Sequence, residues 1–135
     1  MPADGASAEE LRALYARYND CCNRHDFGSL GLFVAEDVRV DDKPTGLAAY
    51  VAGLEEVVRA FPDYRWELRH LAVEPPLLAA HFADSGTHRG TFLGVPPTGR
   101  VIRTQEFAFY RVADGRITDV WVTADDLTTL EQLRA

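Results

Sequence analysis

The chain has 135 residues, with 14 Lys+Arg against 21 Asp+Glu for a formal net charge of -7, and 47% of its residues are hydrophobic. That length suits one domain with its own core, so a single domain over 1–135 is expected, with 1–6 as a tail. The negative balance makes nucleic acid and anionic membrane poor partners, and no apolar run approaches the about 18 residues of a membrane span. The N-terminal stretch has neither the basic region nor the apolar core of a signal peptide. Cys21 and Cys22 are adjacent in a helical pattern, which reads as a reduced pair in a cytoplasmic protein.

Ser7 and Glu10 have capping-box spacing, and Leu11, Leu14, Tyr15, Tyr18 and Cys22 follow on one helical face. This predicts a first helix from about Ala8 to Arg24, with Asn19 beside its apolar stripe. Phe27 to Glu36 reads as a short second helix weakened by Gly28 and Gly31. Asp37 to Asp41 alternates like a short strand, and Lys43-Pro44-Thr45-Gly46 reads as a loop. Leu47 to Phe61 carries a wide apolar face and is the third helix, ended by Pro62. The period then changes to two. Strands are expected over Tyr64–Val73 (Tyr64, Trp66, Leu68 and His70 on one face), Leu77–Gly90, Val101–Val112 and Ile117–Thr123. A terminal helix covers about Asp126 to Leu133.

Helices followed by a run of strands predict an α+β domain. It should be cone-shaped, its N-terminal helices packed on a curved antiparallel or mixed sheet that encloses a cavity. Asp114-Gly115 between two strands is a strong hairpin signal, because both turn residues need positive φ. Counted without a bulge, Tyr110 pairs with Asp119, Ala108 with Trp121, Glu106 with Thr123 and Thr104 with Asp125. Phe107, Phe109, Val120 and Val122 then read as the core face. Glu106, Tyr110, Trp121 and Asp125 share a polar and aromatic face, either a pocket wall or a subunit interface, and a bulge near Thr123–Ala124 would turn Asp125 over.

Three stretches together resemble the SnoaL-like polyketide cyclases of the nuclear transport factor-like superfamily. They are Thr87 to Gly99 with its Pro-Thr-Gly turn, Tyr110 to Ile117, and Trp121-Val122-Thr123-Ala124-Asp125-Asp126-Leu127. Tyr18-Asn19 and Asp37-Val38 fit more weakly. The resemblance implies ring closure of a polyketide-like substrate by an intramolecular aldol reaction, without cofactor or metal. It also implies a general acid/base at Asp125 and a homodimer formed through the outer face of the sheet. The chain departs from the family pattern at Asp41 and Val120, where many relatives carry His.

By spacing alone, Asp125 or Asp126 is an N-cap for the last helix. With the resemblance added, Asp126 is expected to cap and Asp125 to face the cavity as the proton-transfer group, its pKa raised by apolar surroundings. His88 is the second catalytic candidate, polarising a carbonyl with help from Gln105 or Asn19. Trp66, Trp121 and Tyr50 are expected to line the substrate site with Glu106, which beside Arg103 or Asp125 would also suit opening an epoxide. His81, Asp84 and His88 are split between strand faces and form no metal site. The Thr91–Gly99 loop is placed at the cavity mouth as a lid. The expected ligand is a hydrophobic small molecule. A related hydrolase or ether-forming cyclase is the second reading, and a catalytically silent binding or dimer-forming module the third.

Overall fold

In a computed structural model describing residues 5–135, the elements run α1 (Ala8–Asn23), a 3-10 helix (Phe27–Leu32), β1 (Val34–Val40), β2 (Lys43–Pro44), α2 (Leu47–Ala60), β3 (Arg65–Glu74), β4 (Leu77–Thr87), β5 (Val101–Ala113), β6 (Arg116–Ala124) and α3 (Asp126–Arg134). Most of the tail expected at 1–6 lies outside the described residues. The strands form one six-stranded sheet in the order β2-β1-β6-β5-β4-β3. All neighbours are antiparallel except β1 and β6, which run parallel. The α+β architecture is therefore as the periodicity indicates, with a mixed sheet and helices on one face.

Local chemistry explains the boundaries. The capping box is complete: the Glu10 N–H donates to Ser7 Oγ at 3.1 Å, and the Ser7 N–H donates to Glu10 Oε1 at 2.9 Å. Leu11, Leu14, Tyr15, Tyr18 and Cys22 are buried against the sheet. The segment expected as a second helix is only a 3-10 helix that stops at Leu32, and Val34–Glu36 belong to β1. Its glycines give up the propensity that a longer helix needs.

Two bulges revise the strand faces. Asp114 and Gly115 both have positive φ, 51° and 75°, as the hairpin requires. Beyond the turn, however, the register shifts between Arg111 and Val112. Tyr110 lies opposite Val120, Ala108 opposite Val122 and Glu106 opposite Ala124. The pairings expected for Asp119, Trp121 and Thr123 are thus each displaced by one residue, which turns β6 over. The inner face carries Glu106, Ala108, Tyr110 and Val120. Phe107 and Phe109, expected in the core, are 51% and 39% exposed on the outer face. A second shift between Leu68 and His70 places His70 opposite His81, so His70 leaves the face of Trp66.

Candidate active site

Between the sheet and helices α1, α2 and α3 lie two adjoining lobes. The outer lobe, about 290 Å³, is bordered by Phe61, Tyr64, Phe92, Thr104 and Asp126. The inner lobe, about 90 Å³, is bordered by Tyr15, Tyr18, Asn19, Cys22, Tyr50 and Tyr110. Leu54, Trp66, Glu106 and Val122 border both, which makes Glu106 the ionisable group at the junction. A larger concavity, about 540 Å³, is an open groove on the outer sheet face. The interior lobes are the better candidate, because buried ionisable groups converge there.

The centre of the site is a carboxyl pair. Strand β4 turns Leu78, Ala80, Phe82 and Asp84 inward, and all four are buried. Asp84 lies across from Thr104 on β5, two residue pairs beyond Phe82–Glu106 and on the same face. Tyr64 Oη donates to Asp84 Oδ2 at 2.8 Å. The Asp84 and Glu106 carboxyls are near neighbours inside the cavity and shift one another's ionisation. Two carboxyls this close in a buried site favour sharing one proton. Asp84 Oδ1 is buried with no hydrogen-bond partner among the described residues, and a proton between the carboxyls would satisfy it.

Both carboxyls are pushed above the usual carboxylate range, chiefly by burial. The neighbouring Asp84 carboxyl and the Asp126 charge push Glu106 further, while Trp66 acts against this. Glu106 and the Tyr64 hydroxyl favour the ionised form of Asp84. The two environments thus favour protonation at Glu106 over Asp84, and the pair titrates as a unit.

The two aspartates of α3 exchange their expected places. Asp125 is the N-cap: its Oδ1 accepts from the Thr128 N–H at 3.1 Å and its Oδ2 from Thr128 Oγ1 at 2.7 Å. These bonds lower its pKa, the opposite of what the cavity-facing assignment required, and the residue is exposed. Asp126 borders the outer lobe instead, and partial burial, followed by the Asp125 charge, raises its pKa.

The remaining candidates divide between the two faces. Trp66 borders both lobes, and Asn19 and Tyr50 border the inner one. Asn23 holds the Trp66 backbone on both sides, accepting from its N–H at 2.7 Å and donating to its C=O at 2.9 Å. Gln105 is on the outer face, where His81 Nε2 lies 2.9 Å from its Oε1. Trp121 is also outside, its indole donating to Asp42 Oδ1 at 3.0 Å. Arg103 points away from Glu106, on the alternate residues of β5. His88 is fully buried but does not border either lobe. The Thr98 N–H donates to its Nδ1 at 3.2 Å, and its ring lies 5.4 Å from that of Phe61. It anchors the loop after β4, whose Phe92 reaches the outer lobe as a lid residue would. Among the described residues no cluster of His, Cys, Asp and Glu is suited to a metal ion, and no helix is long and apolar enough to cross a membrane.

Sequence reasoning missed Asp84 and Tyr64. The available signal was the alternation Leu78-Ala80-Phe82-Asp84, which puts an acid in an apolar row.

The SnoaL-like polyketide cyclase model matches residues 12–133. A crystal structure of a SnoaL-like polyketide cyclase from Agrobacterium tumefaciens superposes with a TM-score of 0.83 at 31% identity, covering 91% of this chain and 97% of that one. IdmH from Streptomyces antibioticus, a candidate polyketide cyclase, has a TM-score of 0.83 at 26% identity, covering 92% and 98%. AclR from Streptomyces galilaeus, a candidate hydroxylase, has a TM-score of 0.83 at 27% identity, covering 95% and 98%. Among curated proteins none matches. The family model spans all but the ends of the chain and agrees with the fold, so this protein belongs to the SnoaL-like polyketide cyclase family.

Proposed function

We propose that the protein is a cofactor-independent cyclase that closes a ring in a polyketide-like substrate by an intramolecular aldol reaction, with the Asp84–Glu106 pair as its acid/base. The observation that carries this reading is the buried Asp84–Glu106 carboxyl pair, with Glu106 at the junction of the two interior lobes. A carboxylate held in apolar surroundings is a stronger base than one in water, and a pair that shares one proton keeps one carboxylate able to accept another.

In the proposed cycle Glu106 passes its proton to the Asp84 carboxylate as it takes one from the carbon α to a substrate carbonyl. The resulting enolate carbon attacks a second carbonyl carbon, forming one C–C bond while the electrons of that C=O move to its oxygen. The pair then returns the proton to this alkoxide, so the product is an isomer of the substrate and the enzyme is regenerated. Trp66, Phe61 and Phe92 would fold the chain and exclude water.

Glu106→Gln keeps a donor to Asp84 but cannot transfer a proton. It should abolish ring closure of a polyketide ester while leaving the fold intact; turnover at the wild-type rate would refute the assignment. An epoxide-opening activity would use the same pair to activate water and protonate the epoxide oxygen, and parallel assays with epoxide and polyketide substrates separate the two. We also propose that the outer sheet face, with Phe107, Phe109 and Trp121, is covered by a second copy of the chain. The protein is then a homodimer with two separate interior sites.

A further inference from the structure

Four tyrosines border the inner lobe, and the acid/base chemistry leaves their hydroxyls unused. Tyr15 Oη and Tyr110 Oη are 2.9 Å apart, and Tyr18 Oη is hydrogen-bonded to Tyr50 Oη. Tyr15, Tyr18 and Tyr110 are at most 4% exposed, and all four border the lobe.

The count of hydrogens is decisive. Two hydroxyls bring two hydrogens, and the bond between them uses one. Each pair therefore has one O–H left over. Among the described residues the Tyr15–Tyr110 pair has no other side-chain or backbone acceptor. The Tyr18–Tyr50 pair likewise has no further acceptor among the described residues apart from the neighbouring Cys22 sulfur, a weak one. Two spare donors thus meet one small apolar space beside Glu106. Burial first of all raises the pKa of every one of these phenols, so they remain donors through neutral and alkaline pH.

The lobe has room for more than water. A site of ~10–15 Å³ holds one water molecule, and this one measures about 90 Å³. Buried donors of this kind are costly unless an acceptor arrives, and preorganised donors stabilise an oxygen on which negative charge develops.

We propose that the inner lobe is an oxyanion site, in which the Tyr15–Tyr110 and Tyr18–Tyr50 hydroxyl pairs together hold the substrate oxygen that becomes an enolate. This rests on the acid/base reading of Glu106, and it adds a requirement on the substrate. A carbonyl or enolisable phenol-like oxygen enters the inner lobe while the carbon skeleton occupies the outer one, so the α-carbon lies at the junction beside Glu106. A substrate lacking such an oxygen leaves both donors unpaired and is rejected.

The test uses 4-nitrophenol, whose phenolate mimics an enolate and is read directly by its absorbance. The full-length protein should bind it as the phenolate at a pH where the free reagent is largely neutral. Replacing both hydroxyls of a pair, Tyr15→Phe with Tyr110→Phe or Tyr18→Phe with Tyr50→Phe, should weaken this binding about tenfold, the usual scale for a hydrogen bond to a charged group, whereas a single replacement leaves one O–H free to donate. If either double variant loses its thermal unfolding transition, the other carries the test. Glu106→Gln should keep phenolate binding while losing turnover, so failure of the acid/base reading and failure of the oxyanion site give different results. No binding by the wild-type protein, binding of neutral phenol only, or equal affinity in the tyrosine variants would overturn the proposal.

Discussion

Tyr64 Oη donates to Asp84 Oδ2 at 2.8 Å inside the cavity, a bond that favours the ionised form of Asp84 and so favours Glu106 as the protonated member of the carboxyl pair. The tyrosine favours the ionised form of Asp84, while burial and the Asp84 charge disfavour ionisation of Glu106. Each member of the triad is thus defined by the other two.

Such a pair should destabilise the fold as pH rises. The folded pKa of Glu106 lies above its unfolded value of about 4.3. The folded chain then binds more protons than the unfolded chain, so stability falls as pH increases. The contribution is fully favourable only below the unfolded carboxylate range and is lost from there upward through the folded pKa. Glu106→Gln removes this liability. It should stabilise the protein at pH 8 by roughly 1–3 kcal/mol and flatten stability between pH 5 and about 8, while turnover is lost. Chemical denaturation of both proteins across that range checks this; a variant less stable than wild type at pH 8 would contradict the assignment of the proton.

The exchange of roles between Asp125 and Asp126 makes a paired prediction. Asp125→Ala removes the N-cap bonds to Thr128 and should lower Tm by a few degrees with kcat nearly unchanged. Asp126→Asn leaves that cap in place and alters the outer lobe. It should change KM and move the alkaline limb of the pH–rate profile, because the Asp126 charge helps to hold the Glu106 proton. Loss of turnover in Asp125→Ala at unchanged Tm would return Asp125 to the chemistry.

The reason these roles were not legible in the sequence is a single residue of register. The capping box, the Asp-Gly turn and the switch from helical to two-residue period each leave a compositional mark, and the helices, strands and α+β class follow from them. A bulge leaves none: Thr118 looks like any other strand residue, yet the register shift beside it turns β6 over. Phe107 and Phe109 therefore read as core, and Trp121 as pocket wall, when the inner face holds Tyr110 and Val120. Likewise the shift at Leu68–His70 sends His70 to the outer face. Asp84 was legible in principle, since β4 alternates without interruption. Its pairing with Glu106 depended on the β4–β5 register, which no turn signal fixes across the 88–100 loop.

The same loop supplies a prediction about the cavity mouth. The N–H groups of Arg89 and Gly90 both donate to the Ala60 C=O, at 2.9 and 3.0 Å, binding the loop to the C-terminal end of α2. A Cβ at position 90 would stand 2.5 Å from the Arg59 O and 3.2 Å from the Ala60 Cα. Both are backbone atoms that cannot rotate away, so Gly90→Ala must separate loop from helix. The cost should be about 1–3 kcal/mol. Because His88 and Phe92 flank this anchor, KM should rise as well. Thermal unfolding with wild-type Tm, or an unchanged KM, would show that the loop is positioned by other contacts.

The outer face allows the assembly to be tested apart from the chemistry. Phe107 stacks on His81 with ring centroids 4.6 Å apart, and Phe109 lies 5.8 Å from Trp121. These aromatics line the open groove of about 540 Å³, and exposed apolar surface of this kind marks an interaction site. A glutamate at position 109 would bury a charge against its symmetry mate in a twofold interface and oppose association. Phe109→Glu should therefore convert a dimer to a monomer in light scattering after size exclusion. Its side chain does not touch Glu106 or Asp84, which border the opposite side of the sheet, so binding of 4-nitrophenol should persist in the monomer. A wild-type protein that is already monomeric at micromolar concentration would remove the dimer from the reading and leave the interior site unaffected.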